Sequence, residues 1–335
     1  MKIRAYHDRD AAAWDDLIDR APAANFLHSR RFLAYHGDRF TDASIVVEVG
    51  DHIHAVMPAA VDPSNSRHVI SHPGATYGGL IAPNFSASRT MEVLSAIAVH
   101  YREFGFARLT YKTVPYHLSR IPSEGDRYAL WRLGATLVRR DLWSIVQLAQ
   151  PSRISGRLRR NLKIADAYDL EISTADSDDD YRHYHQLLST NLSDRHGVAP
   201  VHSAEELIDL RQRLGERVAL WLIYNRGQRN SPIAGVWLFR FGTVAWHMQY
   251  TASSSEGRRK RAVHLLYQRM LTEARVAGVA YLSYGAVTEQ SGLILNPGLE
   301  HFKEELGGGL VTHDFLSLSL TSDWPTAPNA RLDDD

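Results

Sequence analysis

Cysteine is absent from the 335 residues. That excludes disulfides, thiolate nucleophiles and cysteine-based zinc sites. Net charge is missing too: 38 lysines and arginines balance 38 aspartates and glutamates. A general binder of nucleic acid or anionic membrane carries a basic excess, so any anion site has to be local, and DNA is not an expected partner. No apolar run approaches the ~20 residues that cross a bilayer. The opening MKIRAYHDRDAAAWDD lacks the apolar core of a secretory signal. A cytoplasmic protein without a membrane span is the expectation. Neither a phosphate-binding P-loop nor a Ser-His-Asp pattern is present, which disfavours NTP and acyl-serine chemistry. The histidines number 17, but the pairs in HIH (52–54) and HYH (183–185) have no metal-ligand spacing with a third partner. No metal is expected.

What is present is a repeated order of elements. The length alone argues for two domains. The first half reads as a strand (KIRAYH), two helical stretches (DAAAWDDLIDRA and SRRFLAYHGD), and a hairpin of ASIVVEVG and HIHAVMPAA turning at Gly50-Asp51. Extended segments around HVISHPG and TYGGLIA follow. A long helix (86–105), the strand ARLTYKT, a short helix (125–134) and the strand TLVRRDLWSIVQLA complete it. The second half repeats the order. LEISTAD is a strand, and DDDYRHYHQLLSTNL and SAEELIDLRQRLG are helices, the latter with a Ser203/Glu206 capping box. RVALWLIYN and PIAGVWLFRF form a hairpin, followed by the strand TVAWHMQYTA and a long helix over 259–278. The strand GVAYLSYG, a short helix over 297–306 and the strand LVTHDFLSLSL close the half. The repeat predicts an α/β (α+β) protein of two domains, 1–150 and 151–320, each a mixed central sheet flanked by helices. Residues 321–335 read as a disordered tail.

Between the halves lies a basic helix, SRISGRLRRNLKIADAY. Arg157, Arg160 and Lys163 on it are candidates for holding an anionic group, through fork-shaped hydrogen bonds where arginine is used. A solvated basic face is the plain alternative. In TYGGL, Tyr77 precedes Gly78 and Gly79. Paired glycines let a backbone approach a ligand, and a strand bulge is the alternative. In NPGLEHFKEELGGG (296–309), Asn296 caps a helix begun by Pro297 and stopped by Gly307. Leu299, Phe302 and Leu306 share a face, with Lys303 at its border. Lys303 is either the polar edge of that helix, paired with Glu300, or a charge held against a site.

The doubled order, with its basic linking helix, resembles the FemAB-like transferases, tandem members of the GNAT acyltransferase superfamily. SHPGATYGGLI, RLRRNLKIA and YGAVTEQSGLILNPGLEHFKEELGG carry the resemblance. It implies an acyl donor bound where a core strand splays and a helix begins, at TASSSEGRRKRAVHLL. There Gly257, Arg258, Arg259, Lys260 and Arg261 are the candidate donor-binding residues, although the superfamily's glycine pattern is replaced by cations. A solvated basic loop is the alternative. The resemblance makes Phe302 and Lys303 cleft-lining residues, with Lys303 stabilising negative charge on the acyl carbonyl. His247 and Tyr250 lie on the adjoining strand as candidate acid or base, a satisfied polar residue being the plainer role for each. The implied activity is N-acyl transfer from acyl-CoA, a co-substrate and not a permanent cofactor, to an amine of an envelope or polysaccharide precursor such as an amino sugar. Alternatives are aminoacyl transfer from tRNA to a peptidoglycan precursor and a catalytically silent binding module. No long heptad arm for tRNA is seen.

Overall fold

The computed structural model describes residues 1–84, 86–150 and 155–321, the side chains of 195 and 196 excepted. The expected tail therefore lies, but for Thr321, outside the described residues. The chain divides into two compact units, Met1–Arg140 with Thr312–Asp335, and Asp141–Val311. The division falls about ten residues before the expected 150/151, and the closing strand goes to the first unit.

In the first unit, β1 (Lys2–Ala5), α1 (Ala11–Arg20) and α2 (Arg30–Leu33) lead to β2 (Ile45–Val49), β3 (His52–Met57), β4 (Ala60–Asp62) and β5 (Asn65–Ile70). Then come α3 (Ala87–Glu103), β6 (Arg108–Lys112), α4 (Gly125–Arg132) and the start of β7 (Thr136–Gln147). TYGGLIA does not form a strand. It contributes one bridge, Ile81 to Val56. β1, β2 and β3 pair antiparallel, as do β4 and β5. β5 and β6, joined through α3, pair parallel.

In the second unit, α5 (Gly156–Asp166), β8 (Leu170–Thr174), α6 (Asp178–His196) and α7 (Ala204–Leu214) precede β9 (Val218–Asn225), β10 (Ala234–Phe241) and β11 (Ala245–Ser253). α8 (Ser255–Arg259), α9 (Ala262–Val276), β12 (Tyr281–Ala286), β13 (Thr288–Glu289), β14 (Ile294–Leu295) and α10 (Pro297–Glu305) complete it, and β15 (Gly309–Ser319) runs from its end into the first unit. β8 to β11 form an antiparallel run. β11 and β12, joined through α9, pair parallel. Each unit thus has one parallel pair connected by its long helix, the repeat the sequence predicts.

The repeat closes differently from its linear reading. β15 residues 315–319 pair with β6 inside the first unit, and β7 residues 143–147 pair with β12 inside the second. The halves have exchanged their last strands. The ends of α7 behave as read: Ser203 Oγ accepts from Glu206 N, and the Glu206 carboxylate accepts from Ser203 N at 2.8 Å. The second unit's core packs Leu266, Met270 and Ala274 of α9, all unexposed, against Val236, Leu238 and Leu282 of the sheet. No helix among the described residues is long and apolar enough to cross a membrane.

Candidate functional site

The parallel pair of the second unit opens as it runs. β11 is in register with β12 only over Ala245–His247 and Tyr281–Ser283, while both strands continue, to Ser253 and Ala286. Two irregularities mark the opening. On β11, Trp237 faces Tyr250 and Leu238 faces Met248, so Gln249 is an extra residue without a register partner. On β12, the pairing with β7 skips Tyr284, and Gly285 sits at φ +73°. A bulge takes a residue out of the ladder and re-aims its backbone groups. An N–H so released is the kind of fixed donor that stabilises a developing oxyanion.

Lys303 reaches this opening from α10. Its Nζ donates to the carbonyls of Gly285 at 3.1 Å and Ala286 at 2.7 Å. The sequence placed Lys303 at a border. The structure corrects this: the residue is only 4% exposed, and burial pushes its amine down to about 7. The pairing with Glu300 is not what holds it. A charge beside two carbonyl dipoles, in a site poor in water, is worth more than the same charge on a surface. Its neighbour Phe302 is partly buried against the second unit's core. It packs edge-on to Tyr267 (5.5 Å) and His264 (5.1 Å) of α9, and the Tyr267 hydroxyl meets Thr251 Oγ1 of β11 at 3.0 Å.

His247 is buried, stacked on Trp143 at 5.0 Å, with Nδ1 3.0 Å from Ser283 Oγ. A Cβ on Gly285 would lie 3.6 Å from its ring, which sets His247 beside the strand end that holds Lys303. Tyr250 stacks on Trp237 at 5.9 Å, and its hydroxyl is 2.8 Å from Nδ1 of His202. Burial pushes the phenol up to about 12. His202 escaped the sequence reading. It lies in the connection between α6 and α7, where no periodicity singles out a residue.

The basic stretch divides. It is not the start of one long helix: α8 is a separate turn whose Ser254 cap accepts from Gly257 N at 3.0 Å. Gly257 is glycine for close packing, since a Cβ there would lie 2.1 Å from the Ile233 carbonyl oxygen. Arg258 donates to the Ser253 carbonyl at 2.7 Å. Lys260 is held by Asn225 at 2.6 Å and Glu256 at 2.8 Å. Arg259 and Arg261 are exposed. Arg261 caps α9 at φ +58°, a left-handed conformation costing a non-glycine residue about 1–2 kcal/mol. On α5, Arg157 is tied to α10, with Nε 2.9 Å from Glu305 and Nη1 3.0 Å from His301 Nε2. Arg160 and Lys163 are exposed on the same helix.

Tyr77, Gly78 and Gly79 belong to the first unit. Tyr77 is 1% exposed, and its hydroxyl accepts from Asn25 Nδ2 at 2.8 Å. A Cβ on Gly78 would lie 2.1 Å from the Ser71 carbonyl oxygen, and Gly79, at φ +98°, faces the Tyr111 hydroxyl. The close approach these glycines permit is to the protein's own backbone and core. Gly78→Ala is therefore expected to destabilise the first unit by about 1–3 kcal/mol, read as a lower denaturation midpoint. A ligand-contacting glycine would instead lose affinity at unchanged stability. No group of three or more acidic or histidine side chains fit to hold a metal occurs among the described residues.

Residues 152–304 match the family described as acetyltransferase (GNAT) domain. No curated protein matches the sequence. Among solved structures, FemX aligns at 11% identity over 94% of this chain and 97% of its own, with a TM-score of 0.64. L-PGS from Bacillus licheniformis aligns at 11% identity over 94% and 93%, with a TM-score of 0.61. A tandem GNAT protein from the clavulanic acid biosynthesis pathway aligns at 10% identity over 96% and 98%, with a TM-score of 0.52. At such identities the likeness establishes the fold, a tandem GNAT arrangement.

Proposed function

We propose, on the match of residues 152–304 to the acetyltransferase (GNAT) domain family, that the protein is an N-acyltransferase that moves an acyl group from acyl-CoA to a primary amine. The acceptor class proposed is an amino sugar or similar amine of an envelope or polysaccharide precursor. The observation that carries the reading is the opening between β11 and β12, with a bulge at Gln249 on one strand and Lys303 pinned to the end of the other. An acyl carbonyl lying in that opening meets a backbone donor from the bulge and the Lys303 ammonium. Attack by the amine places negative charge on the carbonyl oxygen. Collapse breaks the C–S bond and releases the thiol. The exposed Arg258 and Arg259 in the last turn of α8 and Arg261 at the start of α9 supply charge for the donor's phosphates.

The FemAB-like resemblance keeps a second donor in view, an aminoacyl-tRNA. Thermal melting separates the donors. Acetyl-CoA at 100 times its Kd raises stability by about 2.7 kcal/mol, and a shift of that kind is expected with acetyl-CoA and not with charged tRNA. The reverse result selects aminoacyl transfer, and no shift with either selects a silent binding module. Replacing Arg258, Arg259 and Arg261 together by alanine is expected to weaken acetyl-CoA binding with little change in unliganded melting, because exposed arginines contribute little to stability. Undiminished affinity in the triple variant removes the arginines from the donor site.

A further inference from the structure

The last turn of α10 buries two charged side chains on different sides. Lys303 and Glu305 are 4% and 7% exposed, and residues two apart on a helix do not share a face. Lys303 reaches the end of β12. Glu305 reaches α5 instead, where Arg157 Nε lies 2.9 Å from its Oε1. His301, one turn earlier on α10, brings Nε2 to 3.0 Å from the same oxygen and to 3.0 Å from Arg157 Nη1. The contact with Arg157 is a charge pair, since the Glu305 Oε1 atom makes no aligned hydrogen bond to the described residues. A buried carboxylate in that condition depends on its cation. Without it, the group must take up a proton or reach water. The same turn carries the bonds that close the helix. The Lys303 carbonyl accepts from Leu306 N at 3.2 Å and from Gly308 N at 3.1 Å, and the Tyr284 hydroxyl donates to the Leu306 carbonyl at 3.2 Å. Unwinding the turn to hydrate Glu305 would break these bonds and carry Lys303 with it.

We propose that Arg157 is a positioning residue for Lys303: through Glu305 it fixes the last turn of α10, so that the amine is delivered to the carbonyls of Gly285 and Ala286. Arg157, a candidate in the sequence for holding a ligand's anionic group, holds a carboxylate of the protein itself. Its effect on turnover rests on the acyltransferase reading. Its effect on the burial of the Lys303 amine does not. The titratable and charged groups on the elements packed at this turn are Arg157 of α5, His264 and Tyr267 of α9, Tyr284 of β12, and His301, Glu304 and Glu305 of α10 itself. Burial pushes His264 down to about 4, Tyr267 up to about 12 and Tyr284 well above its usual range. The Lys303 amine, pushed down to about 7 from 10.5, is therefore the buried group of this turn that changes charge between those two values. If the turn loosens, the amine regains water and its value returns toward 10.5.

Two measurements test this on the full chain. The first is urea denaturation at pH 7 and pH 9 of Arg157→Gln, with Lys303 present and with Lys303→Met added. Stability gained between the two pH values by the protein with Lys303, over the one without, reports a buried amine. The gain is expected to fall below half its wild-type size in the Arg157→Gln background. The second is free-thiol release from acetyl-CoA with a panel of primary amines that includes glucosamine. Arg157→Gln is expected to lower kcat about 10²-fold, the scale of a misplaced group, with KM for acetyl-CoA unchanged and the alkaline decline moved to higher pH. A loss of packing alone would lower the denaturation midpoint and leave that decline in place. Arg157→Lys keeps a cation at the carboxylate and should recover part of the loss. Adding Glu305→Gln to Arg157→Gln removes the buried charge that needs holding and should recover most of it, which supplies a readout if the single variant fails to fold. An undiminished pH-dependent gain in Arg157→Gln, or a double variant no better than the single one, overturns the role of Arg157 and leaves the acyltransferase reading standing. Absence of amine-dependent release from the wild type, with every amine, overturns the acyltransferase reading, and the denaturation result then decides the role of Arg157.

Discussion

Lys303→Met is expected to lower acyl transfer by roughly 10²–10³-fold, the loss typical of removing one preorganised oxyanion donor. Methionine keeps the apolar stem and deletes only the amine, so donor binding should change far less than turnover. Stability gives an independent readout. The amine sits at about 7 in the folded protein, from an ordinary 10.5, because burial disfavours its charged form. Between these values the unfolded chain holds a proton that the folded chain has released. Folding stability from this group therefore rises with pH from about 7 to 10.5, with a slope of about 1.4 kcal/mol per unit. Below 7 both states are protonated and the slope vanishes. Urea denaturation at pH 7 and pH 9 should show the wild type gaining stability relative to Lys303→Met. A parallel response in the two proteins would mean that the amine keeps its proton in the folded state.

Trp237→Ala is expected to destabilise the second unit by about 3–5 kcal/mol, the range for deleting a fully buried large aromatic. The side chain has no exposure, stacks on Tyr250, and meets His202 and Phe239 by its edges. Its removal leaves a cavity in the face of the sheet on which Tyr250 rests. Chemical denaturation followed by circular dichroism reads the loss directly, and a change under 1 kcal/mol would mean that this face collapses around the gap. Trp237→Phe keeps a ring against Tyr250 and should lose much less.

The order of elements was legible because each rests on local chemistry. Asn296 accepts from Leu299 N at 2.9 Å with Pro297 behind it, and Ser203 with Glu206 closes its box as such pairs do. Hydrophobic periodicity placed β9 to β11 and α9 within a few residues. The exchanged strands were not legible, because β7 and β15 carry the same alternating pattern whichever neighbour they pair with. The break between α8 and α9 was hidden by a helix-compatible run that turns on one left-handed residue, Arg261. Periodicity treats lysine as polar, so it set Lys303 at the helix border. Gly285 and Ala286 carbonyls, eighteen and seventeen residues earlier, are what draw it inside. Gly78 read equally as a ligand approach and as a strand bulge, because the sequence cannot say which backbone comes close. His202 had no signal of its own, since its hydroxyl partner, Tyr250, is 48 residues away.

In the proposed reaction the second unit passes an acyl group from a thioester to an amine beside the Lys303 ammonium. The most direct measurement is amine-dependent release of coenzyme A from acetyl-CoA against pH, in the wild type and in Lys303→Met. Release is expected to require the amine and to weaken above about pH 7 as Lys303 loses its proton. In the methionine variant the rate should be roughly 10²–10³-fold lower and lack that decline. Wild-type rates in Lys303→Met, or discharge of aminoacyl-tRNA with no amine-dependent release of coenzyme A, would contradict the proposed reaction.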